Sequence, residues 1–303
     1  MQDHAVEPDR GSRELRELGA FVPPGEQFPR LEKPPGRIEL ARRSLTRLRF
    51  ASLLRPVGPL PLIVIIALFL PAAVSVVTSV AIGIARANAA ATPPRLGQGA
   101  LETSSNWAGY VASGARFTSV SATWRVPPVK AGTQPTEVAA LWVGLDGRGT
   151  STLEQIGTLS GTLGGSPAFE VWYEVVPQPP VYERLAIKPG DSVTASVTTN
   201  GDGAFTLFIR NNTTGGTFST LQPSRGAELV TAEVVAEAPA TISGPAPLPD
   251  FGTIGFTNAR ANGRPIGTFT WDRLSMSSGT TLQAVTAPLA RDAGSFSITW
   301  KHE

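Results

Sequence analysis

The sequence predicts an all-β, antiparallel sandwich of about 200 residues, preceded by a disordered tail and one apolar export or membrane helix. Three observations lead there. From Asn106 onward, apolar and polar residues alternate with period two in short runs. Gly- and Asn-rich turn signals separate those runs, in a chain with 31 Gly and 27 Pro. No stretch of this part carries a helical apolar stripe three turns long.

The elements follow in order. Residues 1–55 are charged and Pro-rich, lack a sustained apolar period in their first 40 positions, and are expected to be disordered and cytoplasmic or a long signal n-region. Residues 56–85 hold no charge, long enough to span a bilayer. Arg42, Arg43, Arg47, Arg49 and Arg55 precede that run, whereas only Arg86 and Arg95 follow closely. This asymmetry places the C-terminal part outside the cell, secreted or anchored. The small residues of ARANAAA (85–91) resemble a cleavage site, so both a cleaved signal and an uncleaved anchor fit. Residues 86–103 read as a linker, and 104–303 as the β domain.

Nine runs are expected as strands, including FTSVSATWRV (117–126), EVAALWVGL (137–145), AFEVWYEVV (168–176), DSVTASVTT (191–199), AFTLFIR (204–210) and AELVTAEVVAEA (227–238). FGTIGFT (251–257), GTFTW (267–271) and GSFSITW (294–300) complete them. NGDG (200–203), NNTTGG (211–216), ANGRP (261–265) and GTLGG (161–165) are expected as turns.

Composition excludes much chemistry. Cysteine is absent, and the two histidines, His4 and His302, lie near the chain ends. A Ser-His-Asp triad, a thiol nucleophile and a His- or Cys-based zinc site are therefore ruled out in the β domain. No D-x-D-x-D-G calcium loop occurs, and neither a metal nor a cofactor is expected. The net charge of +2 hides an asymmetry: residues 1–96 carry 13 Lys+Arg against 8 Asp+Glu, residues 97–303 carry 13 against 16. The β domain has no basic run, so a nucleic-acid partner is not expected.

What remains for chemistry is carboxylates, amides and indoles on strands. Alternation puts Glu170, Trp172 and Glu174 on one face, Glu233, Val235 and Glu237 on another, and Trp142, Gly144 and Asp146 on a third, with Gln155 following. Solvated strand faces usually carry Thr, Lys and Ser, so acids interleaved with Trp suggest a site. Two further readings fit the same residues. In a glycan hydrolase or lectin, Glu233 and Glu237 would be acid and nucleophile. The other is a catalytically silent cell-surface binding module.

SSNWAGYV (104–111), WVGLDG (142–147), LEQIG (153–157), WYEVVP (172–177), TAEVVAE (231–237) and DFGTIGFTNA (250–259) occur in the order of the glutamic peptidases, or eqolisins. The chain resembles a bacterial-type member of that family without cysteines. The resemblance implies a concanavalin-like sandwich of two roughly seven-stranded sheets and an endopeptidase active in acid. It implies Gln155 and Glu237 as the catalytic pair, with Trp142, Asp146, Glu174, Trp172 and Glu233 lining or supporting the site. Substrates would be proteins or peptides, and the domain a monomer, tethered to a membrane through residues 56–85 if these are retained. Three departures stand out: Val176 where the family has Tyr, Val234 where it has Trp, and Glu154 in place of an apolar residue. Val176 and Val234, with the possible anchor, favour the silent module.

Overall fold

The computed structural model describes residues 94–302, apart from residues 131 and 242. The charged preface and the apolar run at 56–85 lie outside the described residues. Among those described, the secondary structure is strand with a single 3-10 turn, Ile266–Thr268.

The strands are β1 (Gly99–Ser104), β2 (Trp107–Ser113), β3 (Ser119–Arg125), β4 (Glu137–Asp146), β5 (Leu153–Leu163) and β6 (Ser166–Val175). After these come β7 (Val181–Glu183), β8 (Ser192–Thr199), β9 (Ala204–Asn211), β10 (Thr217–Pro223), β11 (Ala232–Glu237), β12 (Ala240–Thr241) and β13 (Gly244–Pro245). The last are β14 (Thr253–Ala261), β15 (Arg264–Pro265), β16 (Thr270–Ser278), β17 (Thr281–Thr286) and β18 (Phe296–Trp300). Hydrogen bonding runs through β10-β9-β8-β3-β14-β18-β17-β16-β2-β11-β4-β5-β6-β7, with β1 beside β16 and β15 beside β14. β1 pairs with β16 in parallel, and the neighbours along the path are antiparallel. β12 and β13 form a separate ladder.

The path folds back on itself. β4 and β5, near one end, pack on β8 and β9, near the other. Between the layers lies the main core, in which Tyr110, Trp124, Leu141, Ile156, Phe205, Leu207 and Phe256 are fully buried. Each such side chain contributes roughly 1.5–3 kcal/mol on leaving water. A second apolar cluster covers the other face of β4, β5 and β11, around Trp107, Trp142, Leu159, Trp172 and Val235. β4 is consequently buried on both faces, which accounts for its nearly unbroken apolar sequence.

All nine expected strand runs contain strands. The expected turns at 200–203, 211–216 and 261–265 join β8 to β9, β9 to β10 and β14 to β15. Asn262 and Gly263 there adopt left-handed backbone, at φ 48 and 71. In GTLGG only Gly164 and Gly165 turn, while residues 161–163 complete β5. Of the stretch expected as a linker, residues 99–103 belong to β1, whose side chains are nearly all exposed and so leave no alternation to read.

Candidate active site

Strands β11, β4, β5 and β6 lie side by side, and their register lines up three rows on the face away from the main core. Glu237, Ala140, Leu159 and Glu170 form one row. Val235, Trp142, Gly157 and Trp172 form the next, and Glu233, Gly144, Gln155 and Glu174 the third. Gly157 thus lies between two indoles. A Cβ there would stand 2.0 Å from the Leu141 carbonyl oxygen and 2.7 Å from Trp142 Cβ, so glycine is what lets β5 pass this close to β4. Gln155, Leu159, Trp172, Glu174 and Glu237, with Tyr182 of β7, line one narrow cleft. Pro180, Pro239 and Ala240 close its sides.

Glu237 is 3% exposed and held by fixed donors. The Trp142 indole N–H donates to its Oε2 at 2.8 Å, and the Asn106 side-chain amide to its Oε1 at 3.1 Å. Asn106 is positioned by the bend before β2, where the Ser104 hydroxyl accepts from the backbone N–H of Trp107 at 3.1 Å. Trp107 packs edge-on against Trp142, with ring centroids 5.1 Å apart. Burial pushes the Glu237 carboxyl up to about 8, and repulsion from Glu174 adds to it, while hydrogen bonds from Trp142, Trp107 and Asn106 oppose the rise.

Gln155 is 1% exposed, and its Nε2 donates to Glu174 Oε2 at 2.7 Å. That bond fixes which end of the amide is the donor. The cleft therefore holds a fixed amide donor and a largely protonated carboxyl on one apolar floor.

The other expected site residues divide. Trp142, Trp172 and Glu174 belong to this assembly. Asp146 does not line the cleft: its carboxylate accepts from the backbone N–H groups of Glu228, Leu229 and Val230 at 2.8–2.9 Å, tying down the segment that leads into β11. Glu233 shares its row with Gln155 but is fully buried and lies outside the cleft lining. Burial, with the charges of Asp146 and Glu154 adding, holds it well above the usual carboxylate range. Only Glu237 of the two lines the cleft, whereas a glycosidase acid and nucleophile flank one bond together.

The departures fall mostly off the cleft. Val234 and Glu154 point into the main core, where the Ser224 hydroxyl donates to Glu154 Oε1 at 2.6 Å. Val176 sits in the apolar cluster beneath the cleft. Asn106, Trp107 and Tyr182 were not singled out from the sequence. The first two lie in the motif SSNWAGYV, which did not by itself mark their roles. Tyr182 gave no signal.

Residues 105–299 match the Peptidase A4 family. The chain is 34% identical over 113 residues to scytalidopepsin B of Scytalidium lignicola, covering 37% of this chain and 42% of that protein. It is 28% identical over 183 residues to aspergillopepsin-2 of Aspergillus niger, covering 53% and 65%. Both alignments span less than two thirds of the relative's length. The crystal structure of scytalido-glutamic peptidase with a transition state analog inhibitor shares the fold, with a TM-score of 0.55 and 23% identity over 65% of this chain and 98% of that one. SCP-B, an eqolisin in complex with the tripeptide Ala-Ile-His, does so with a TM-score of 0.53 and 22% identity over the same shares.

Proposed function

The chain belongs to the Peptidase A4 family, the eqolisins or glutamic peptidases, and from that premise we propose that it is an endopeptidase working through Gln155 and Glu237. The observation that carries the proposal is that both side chains line one cleft, each already held by its own partner. Ionised Glu237 takes a proton from a water that attacks the peptide carbonyl, then returns it to the leaving amine. The amide N–H of Gln155 left free by Glu174 stabilises the developing oxyanion, a role in which one preorganised donor is worth roughly 3–4 kcal/mol. An amide suits it because it donates without titrating. No metal or cofactor enters the scheme.

The working range lies on the acidic side of neutrality. Three buried carboxyls, Glu154, Glu233 and Glu237, have raised proton affinities and favour the folded state at low pH. Glu237 ionises only as pH approaches 8, so activity rises with pH until the fold gives way.

In this reading the fourteen-strand path divides at the β16–β17 hairpin into two layers of seven strands, and Gln155 and Glu237 share the outer face of one. The apolar run and the arginines before it support export, with the β domain outside the cell. The test is an assay of the chain on casein and on glucans from pH 3 to 8. Cleavage of casein alone supports the proposal. Hydrolysis of glucan, or of neither, contradicts it.

A further inference from the structure

Gln155 has two amide hydrogens, and one is committed to Glu174. An oxyanion in the cleft would then receive a single N–H from this side chain, where two preorganised donors are the usual arrangement in acyl transfer. The lining offers few others. Ala140, Leu159, Pro180, Pro239 and Ala240 carry no side-chain donor. The Trp142 indole N–H is spent on Glu237. Two donors remain on the wall that holds Glu174: the indole of Trp172 and the phenol of Tyr182.

These two face each other across the β6–β7 register. The Trp172 nitrogen is completely buried, out of reach of a ligand in the opening. Tyr182 is only partly buried and lines the cleft beside Pro180. The influences on its hydroxyl are burial and the charges of Glu174 and Glu170, with no hydrogen bond among them. Glu174 therefore stands close to both Gln155 and the phenol, and Tyr182 has a donor that no neighbour consumes.

We propose that the Tyr182 hydroxyl is a second hydrogen-bond donor of the cleft, bonding the carbonyl oxygen of the bound peptide beside Gln155. The inference rests on the peptidase reading above. Tyr182 exchanges no proton in this role. Burial and two neighbouring carboxylates raise its pKa, so it donates throughout the range in which the cleft works.

The experiment compares wild type with Tyr182→Phe on one unstructured peptide substrate between pH 3 and 7. The phenylalanine ring keeps the packing on Trp172 and removes only the hydroxyl. The expected result is a fall in kcat of roughly 100-fold, the low end of what one oxyanion donor supplies, with KM nearly unchanged and the same ratio at every pH. A kcat within twofold of wild type, or a loss confined to KM, overturns the inference and leaves the peptidase reading standing. A wild-type chain that cleaves no peptide removes both. A structure of the wild type with a peptide bearing a secondary alcohol in place of the scissile amide provides a check independent of the variant. The phenol oxygen is expected within hydrogen-bond distance of that alcohol, and a phenol turned away from it overturns the inference.

Discussion

The Gln155 amide nitrogen stands 2.7 Å from a carboxylate oxygen of Glu174, directly across the β5–β6 register. The charge of the same carboxylate also raises the pKa of Glu237, second to burial. Glu174 thus orients one member of the proposed pair and tunes the other, and its substitution separates the two effects.

Glu174→Gln keeps an acceptor for the Gln155 amide but removes the charge. With the repulsion gone, Glu237 ionises at lower pH, so the rising limb of kcat/KM against pH is expected to move toward acid. Glu174→Ala also frees the amide, and its kcat is expected to fall roughly 10- to 100-fold, as for misplacement of a catalytic group. Steady-state kinetics across pH on both variants check this.

Trp142→Phe deletes the 2.8 Å indole donor to Glu237. Without it the carboxylate is harder to form, so the limb is expected to move the opposite way, toward higher pH. The lost hydrogen bond and packing should cost about 1–3 kcal/mol, read by urea unfolding.

Stability should depend on pH in an unusual direction. Burial raises Glu154 to about 7 and Glu237 to about 8. In the unfolded chain both carboxyls return to the ordinary range near 4.3. The folded state therefore binds protons more tightly, and its advantage is complete below about pH 4 and lost as pH rises through 7 to 8. For Glu154 alone, a shift of that size corresponds to on the order of 3 kcal/mol. Thermal unfolding at pH 4, 6 and 8 should show a steady fall in Tm, and Glu154→Gln should flatten it. A Tm that rises over this range would contradict the account.

Gly157→Ala places a methyl group 2.0 Å from a backbone oxygen of β4. The strands must part or the Trp142 indole must tilt, at an expected cost of roughly 1–3 kcal/mol. Activity should fall more than stability, because Trp142 holds Glu237. Unfolding and peptide cleavage measured on one preparation check both.

Several of the strands found from sequence have one buried and one less buried face, such as β3, β8 and β9, whose burial alternates residue by residue, while β4, buried on both faces, was found by its nearly unbroken apolar run. β5 escaped that reading despite all 11 of its residues being buried. Its core-facing positions are Glu154, Ile156, Thr158, Ser160 and Thr162, and polar residues at a buried interface erase the period. Thr158 is tolerated there because it accepts from the Trp124 indole N–H across the layers at 3.0 Å. β10 was missed for the opposite reason, having no fully buried residue.

The candidate site was legible where strand period sets side-chain direction, as in the shared face of Trp172 and Glu174. It was illegible where loops and distant strands converge. Asn106 reaches Glu237 across 131 positions of sequence, and Tyr182 arrives on a three-residue edge strand with no alternation of its own. Asp146 was expected at the site from its place beside Trp142 and Gly144. Its left-handed backbone, φ 64 at the end of β4, turns the carboxylate toward the 228–230 segment instead.

The central claim is that Glu237 and Gln155 together split peptide bonds, and one measurement tests it most directly. Wild type, Glu237→Gln and Gln155→Ala are incubated at pH 4–6 with one defined peptide, products are counted by mass spectrometry, and folding is verified by circular dichroism. Wild type should cleave internal bonds, while each folded variant should lose at least about 100-fold in rate. A folded Glu237→Gln protein cleaving at a rate near that of wild type would contradict the account.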